Sequence, residues 1–425
     1  MEVFKFGGAS IKDAVSIKNV PVVLAHFKNK KIVVIISAMG KTTNALEQLL
    51  RSYFNRQEDT HSHLRKIKDF HFSIIKELFP EENHPVYADI NHLFDKLETA
   101  IAQPPDANFD YEYDRIVHFG EVISSKILWH FLNYAGVQAA WMDITRVLVT
   151  NNEFRNAKVN WQKTQEQIQK HLVPVIDNNP IIVLQGFIGK SETGSVVTLG
   201  REGSDYSAAI VAYCTDAESV TIWKDVEGVL NADPKYFADT QIIEQISYAD
   251  AVEMAYYGAS VIHPKTIKPL ENKKIPLYVK PFAKPSAAGT VIKSTPVKLP
   301  IPVNIFKTKQ VLISIHPNDF SFIAEENLRD IFSLFAEHKI SINLMQNTAI
   351  SFSVVIDHHP DKLDSLIGDL QKYFKVRYNT GLELITIRNF NETTIKKILA
   401  GKKVLLEQKT RYNAQFVARN IHNGK

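Results

Sequence analysis

The chain has 425 residues, 45% of them hydrophobic and 23% charged, the balance of a folded protein with room for more than one domain. Its 50 basic and 46 acidic residues leave a formal charge of +4, and no long basic stripe accompanies it, which excludes a nucleic-acid surface built on net charge. One cysteine cannot form an intrachain disulfide and no segment approaches the ~20 apolar residues of a membrane span, so a cytoplasmic, reducing setting is expected.

The opening residues MEVFKFGG are too short and wrongly patterned for a signal peptide. Glu2 to Phe6 reads as a short buried strand, ended by Gly7 and Gly8 before a helical pattern from about Ile11. KIVVIISAM, Lys31 to Met39, is apolar on both faces, as a central parallel strand covered by helices would be. It runs into the polar loop GKTTNA and a second helical pattern. Strand, glycine-containing loop and helix thus recur.

From His61 to Ala102 the periodicity is helical. Pro104, Pro105, Asn108 and Asp110 break the chain before a long helical stretch that contains HFGEVISSK and ends near Tyr134. GVQAAWMDI, VPVIDN and IIVLQGFIG supply further strand candidates. TLGREGSDYSAA, from Thr198, opens a helix in which Cys214 sits in an apolar pattern as a small buried hydrophobe. ESVTIWKDV and IPLYVKP read as strands, and YADAVEMAYYG, Tyr248 to Gly258, as a helix. Such α/β alternation places ligands outside the carboxyl ends of the strands.

KPFAKPSAAGT and the looser KSTPVKLPIP mark a domain boundary near Thr290. Beyond it the order is βαββαβ: KQVLISIH, AEENLRDIFSLFAEHK, ISINLMQN, AISFSVVI, HPDKLDSLIGDLQKYF, then FKVRYNT and LELITIRNF as strands. The last segment, ETTIKKILAGKKVLLEQKTRYNAQFVARN, repeats the opening of that order and stops. A missing helix and strand should leave apolar surface for another domain or subunit to cover.

Lys5 at a strand end could meet charge on a transferred phosphoryl group, or be a solvated lysine; spacing alone leaves both open, since no Walker-type loop occurs. Gly7 and Gly8 would let backbone approach phosphate, and Ser10 could cap a helix or donate to ligand. Ser37, Lys41 and Thr43 lie in the corresponding loop of the next strand. Glu121 could receive a substrate ammonium or be a partly exposed helix residue pairing with Ser124 or Ser125, and Arg201 suits a carboxylate held bidentately. Asp205 could organise Lys5 or stabilise its own helix N-terminus. Asp225 and Lys235 fall in the polar run WKDVEGVLNADPK, and Lys265 at a helix start after His263, which shapes the turn before Pro264.

The ordered set KFGGAS, ISAMGKTTNAL, FGE, TLGREGSDYSAA, WKDVEGVLNADPK and VIHPKT closely resembles the aspartate kinase branch of the amino-acid kinase family. The resemblance implies a three-layer αβα sandwich with a mostly parallel sheet over 1–292, an α+β ACT-like domain over 305–380 and an incomplete second ACT-like unit over 381–420. It implies transfer of the ATP γ-phosphoryl group to the β-carboxylate of L-aspartate, the first step toward lysine, threonine and methionine, with Mg²⁺ on the nucleotide and no resident protein metal site. Lys5 and Asp205 would be catalytic. Thr43, Glu121 and Arg201 would bind aspartate, and Lys5, Gly7, Gly8, Ser37, Asp225, Lys235 and Lys265 would bind ATP.

Association into a homodimer or higher homo-oligomer through the ACT-like regions is implied as well. Three positions depart from the family's usual pattern: Ala9 for threonine, Glu202 for glycine, which brings extra negative charge near anionic ligands, and Lys235 for arginine. In the effector segments SFIAEE and SINLMQ, Ser321 and Asn343 stand where glycine and aspartate are common, so weak or absent lysine feedback is expected. An N-acetylglutamate or glutamate 5-kinase, and a catalytically silent ACT-type regulator, are the rival readings.

Overall fold

Glu2–Phe6 runs through the middle of a sheet, parallel to Ile32–Ile36 on one side and to Ser219–Lys224 on the other. The computed structural model describes residues 1–421 except positions 238, 260, 261, 296–298, 300 and 320. Contacts divide it into two compact units, one of Met1–Val229, Ile242–Val252 and Val261–Val297, the other of Leu230–Gln241, Glu253–Ser260 and Lys298–Lys425.

In the first unit the described residues form an eight-stranded sheet. Its spatial order is Ala139–Trp141, Ile181–Gln185, Ile32–Ile36, Glu2–Phe6, Ser219–Lys224, Leu277–Pro281, Thr290–Lys293, Gln245–Ser247. All described pairings in it are parallel except that of Leu277–Pro281 with Thr290–Lys293. Every residue of Ile32–Ile36 and of Ile181–Gln185 is buried, as strands covered on both faces must be. Alternation along Glu2–Phe6 sends Phe4 and Phe6 to one face, against Trp223, and Lys5 to the other. A three-stranded sheet of Val149–Thr150, Ile188–Ser191 and Val196–Thr198 stands beside it in this unit.

The second unit holds a six-stranded antiparallel sheet, in the order Ile342–Asn347, Phe352–Asp357, Val303–Pro317, Phe374–Arg388, Asn413–Asn420, Lys402–Lys409. Helices Glu325–Glu337 and Pro360–Gln371 bury Ile331, Phe335, Leu363, Leu366 and Leu370 against its first half. Ile395 and Ile398 of Glu392–Leu399 pack with Ile385, Ile387 and Phe416 in the second half.

Three sequence expectations are corrected. VPVIDN is not a strand but the helix Val173–Asn178, continuing from Trp161–Gln167 through a π-turn at Ile168–Leu172. Ile168, Leu172 and Ile176 bury at four-residue spacing, the period of a helix face, and Pro174 sits in the first turn of Val173–Asn178, where it is tolerated. IIVLQGFIG breaks after Gln185, so that Ile188–Ser191 enters the smaller sheet. The strand expected to be missing from the chain's last segment is supplied from earlier in sequence: Val303–Lys307 pairs with Leu384–Arg388, and Val303–Pro317 and Phe374–Arg388 are each one long strand. The link expected over 293–302 lies partly outside the described residues, as does position 261 in VIHPKT.

Candidate active site

Lys5 leaves the central strand on the face covered by the helix Gly203–Cys214, and its Nζ lies 2.6 Å from Asp205 Oδ1. Both side chains are nearly enclosed, at 11% and 5% exposure, so the pair holds two charges out of water. Loss of either partner would strand the other. Asp205 Oδ1 has no aligned hydrogen-bond donor on it; the Lys5 contact is ionic.

These two residues lie in a cleft of about 530 Å³ at the carboxyl ends of the strands. Lys5, Gly8, Ser37, Thr43, Glu121, Arg201 and Asp205, drawn from four distant segments, all line it. The first two loops meet directly: Gly40 N–H donates to Gly8 O at 3.0 Å, and a Cβ on Gly8 would stand 2.8 Å from the carbonyl oxygens of Ala38 and Gly40. No side chain fits at position 8 without parting the loops. Gly7 borders Lys5, whose Nζ would lie 3.3 Å from a Cβ there. Ser10 neither caps a helix nor faces ligand; its Oγ donates to Trp223 O at 3.0 Å, while Asp13 caps the helix Ala14–Ala25.

Glu121 lies in the first turn of the helix Phe119–Tyr134 and is 3% exposed, with Oε2 unpartnered. Burial raises its carboxyl to about pH 8, against weaker opposing pulls from nearby backbone donors and Lys5. The neutral acid prevails at pH 7, and a cation placed beside it would restore the carboxylate. Ser124 Oγ of the same helix donates to Ser37 O at 2.6 Å and ties it to the second loop.

Arg201 is carried by a loop whose start is anchored from below. Asp114, fully buried, accepts hydrogen bonds from Thr198 Oγ1 at 2.6 Å, from Thr198 N–H at 3.0 Å and from Arg155 N–H at 3.0 Å. Burial raises its carboxyl to about 6 despite these donors. Gly200 has φ +78, and a Cβ on it would lie 2.9 Å from Arg155 O, so the two loop segments touch through backbone. Glu202 has a left-handed φ of 53, a conformation glycine adopts without strain. Its carboxylate is turned to His263 N–H, accepting at 2.9 Å, rather than left as a bare charge toward ligand.

His263 caps the helix Pro264–Lys273, with Nδ1 accepting from Lys265 N–H at 3.1 Å, and burial lowers its pKa. Such a ring is a turn former, not a base in the cleft. Asp225 and Lys265 are not brought to the cleft lining: Asp225 sits in an exposed turn, and Lys265 Nζ donates to Asn156 Oδ1 at 2.5 Å. Lys235 belongs to the second unit, where its N–H donates to Asp233 Oδ1 at 2.9 Å. Cys214 is buried and its thiol is pushed up to about 12 by burial, an inert group.

The lining also includes Tyr113, Arg155, Phe187 and Lys224, which motif reading passes over. Tyr113 and Arg155 lie in segments with no glycine to mark them, whereas Phe187 and Lys224 lie in glycine-containing runs and are passed over there. The detectable signal is conformational: Arg155 and Phe187 have φ of 61 and 71, left-handed like Glu202. A cationic strand end, a helix N-terminus at residues 203–205, a guanidinium and a buried acid make a site for an anionic phosphate donor and a zwitterionic acceptor.

Residues 1–281 match the amino acid kinase family. The lysine-sensitive aspartokinase 3 of Escherichia coli (strain K12) is 29% identical over 398 residues, covering 91% of this chain and 86% of the relative. Aspartokinase 3, chloroplastic, of Arabidopsis thaliana is 30% identical over 393 residues, 87% of this chain and 68% of that protein. Among solved structures, E. coli aspartokinase III in complex with aspartate and ADP (R-state) matches with a TM-score of 0.82 at 26% identity, covering 98% of this chain and 96% of that one.

Proposed function

The chain belongs to the amino acid kinase family, among its aspartokinases, and from that premise we propose how its cleft phosphorylates L-aspartate at the expense of ATP. A β-carboxylate oxygen of aspartate forms a bond to the γ-phosphorus as the bond to the bridging β,γ-oxygen breaks, giving 4-phospho-L-aspartate and ADP. With a pKa near ~4 the acceptor is already ionised at neutral pH, so no general base is needed. The demands that remain are in-line placement and neutralisation of phosphate charge.

Lys5 meets that charge from the end of the strand, and Asp205 holds its ammonium in place. Gly8 and Ser37 leave backbone room for phosphate oxygens, with Gly7 behind them. Arg201 grips a substrate carboxylate, Glu121 its ammonium, and Thr43 adds a hydroxyl. Asp225, Lys235 and Lys265 are proposed as nucleotide contacts. Mg²⁺ fits as an ion carried mainly on ATP phosphates and water: Asp205, the enclosed carboxylate of the cleft beside Lys5, is the one that would face it. Bound there, the ion would supply further charge neutralisation.

The observation that carries the reading is the enclosed Lys5–Asp205 pair at the end of the central strand, in one cleft with Glu121 and Arg201. The C-terminal sheet is read as two ACT-like units, 305–380 and 381–420. Pairing of Val303–Lys307 with Leu384–Arg388 supplies a strand to the second, which keeps one helix, Glu392–Leu399. A homodimer or higher homo-oligomer would form through these units. ATP-dependent hydroxamate formation with L-aspartate, L-glutamate and N-acetyl-L-glutamate tests the function. Turnover of L-aspartate is expected, and turnover confined to either other substrate would overturn the reading.

A further inference from the structure

Arg155 is an expensive residue to keep where it stands. Its φ of 61 is left-handed, a conformation that costs any side chain and costs glycine nothing, yet the position carries one of the longest side chains. Its placement is specified from three sides. The N–H donates to buried Asp114 at 3.0 Å, the carboxylate that also takes both donors of Thr198 at the root of the Arg201 loop. The carbonyl oxygen lies against Gly200, next to Arg201 in sequence, and the guanidinium carbon lies 4.5 Å from the Tyr113 ring centroid.

Two guanidiniums therefore line one cleft on loops that share a single buried anchor. Arg155 Nη1 pairs with Asp110 Oδ1 at 2.8 Å, but both side chains are about half exposed, at 46% and 54%. Such a pair is weak and readily exchanged. A dicarboxylic amino acid offers two carboxylates, and phosphoryl transfer uses only one of them.

We propose that Arg155 is a second carboxylate-binding, specificity-determining residue of the cleft, which exchanges Asp110 for the α-carboxylate of the bound amino acid and grips it together with Arg201. The aromatic face of Tyr113 orients the guanidinium before substrate arrives, which lowers the ordering cost of that contact. The assignment rests on aspartate as the acceptor.

Arg155→Gly is a clean test, because glycine suits the left-handed backbone and the variant should unfold at no lower a temperature than the parent chain. Steady-state kinetics of the full chain are compared on L-aspartate and on its α-amide, whose α-group is neutral; where the amide turns over slowly it is measured as a competitive inhibitor. Loss of a charge-assisted grip should raise the KM for L-aspartate ~10-fold or more. The KM for ATP should stay in place, and the preference for aspartate over its α-amide should fall by a similar factor. Arg155→Lys should fall between the two. An unaltered preference, with or without a change in KM, overturns the role of Arg155 alone. A parent chain that does not phosphorylate aspartate overturns the reading of the cleft on which this rests.

Discussion

The cleft and the C-terminal sheet use β-structure in opposite ways. The central strands Ile32–Ile36 and Ile181–Gln185 are buried along their whole length, and the cleft's polar groups gather at the ends of the sheet's strands and in the segments that follow, Lys5 being the one that projects from within a strand. The long strands of the second unit change character along their length. Residues 377–381 of Phe374–Arg388 are exposed, whereas all five residues from Leu384 to Arg388 are buried. A strand covered twice can position a charge rigidly because nothing around it can relax; a half-covered strand presents side chains to whatever binds next.

The largest effect should come from the rigid side of that contrast. Lys5→Met is expected to lower kcat by about 10²- to 10³-fold, the cost of removing one preorganised charge-stabilising donor. It also strands Asp205 in a nearly enclosed site, so thermal unfolding should shift down, and Lys5→Met with Asp205→Asn should recover stability without recovering turnover. Recovery of turnover in the double variant would break the assignment of Lys5.

An intermediate effect should appear in pH profiles. Glu121 ionises near pH 8, and the carboxylate is the form that holds an ammonium, so the KM for L-aspartate should fall as pH rises through that value. Glu121→Gln should raise the KM and flatten the profile. Stability runs the other way. Between its ordinary value of 4.5 and about 8 the folded state holds a proton that the unfolded chain has released, so this group's contribution to stability declines as pH rises across that window. Thermal melts of parent and Glu121→Gln across the window would expose the difference.

The smallest effect belongs to the half-covered sheet. Asn343 Nδ2 donates to Gln310 Oε1 at 2.9 Å and to Asp357 Oδ1 at 3.1 Å, and its Oδ1 accepts from Lys307 Nζ at 2.9 Å. Asn343→Asp turns the donor into an acceptor beside Asp357 and should cost about 1–2 kcal/mol in thermal unfolding. Lysine should leave the activity of the parent chain nearly unchanged. Strong inhibition by lysine would sink the expectation drawn from Asn343 and Ser321, whose N–H and Oγ both turn to Asp319 Oδ1.

What the sequence discloses follows the same division. Lys5, Ser37, Thr43, Arg201 and Asp205 are legible because they stand in or beside glycine-containing turns between strand and helix, and Glu121 because it follows a glycine in FGE within the same ordered set of motifs. Arg155 and Tyr113 are not, since NNEFRNA and DYEYD look like surface segments until Asp114 folds them under Thr198. VPVIDN misleads because a short apolar run has the same hydropathy in a strand and in a helix; only Ile168 and Leu172, outside the run, reveal the period. Val303–Lys307 is hidden for a topological reason: its partner Leu384–Arg388 lies about 80 residues later.

The central position of Glu2–Phe6 has a consequence for how the protein is made. The strand is synthesised roughly two hundred residues before Ser219–Lys224, its neighbour on one side. At about 5–20 residues per second a ribosome needs on the order of ten seconds or more to deliver that neighbour. Throughout that interval the strand that carries Lys5 has one edge without its native partner, so the first strand of the sheet to be made is closed in only after Ile32–Ile36 and Ile181–Gln185 already have both of their neighbours.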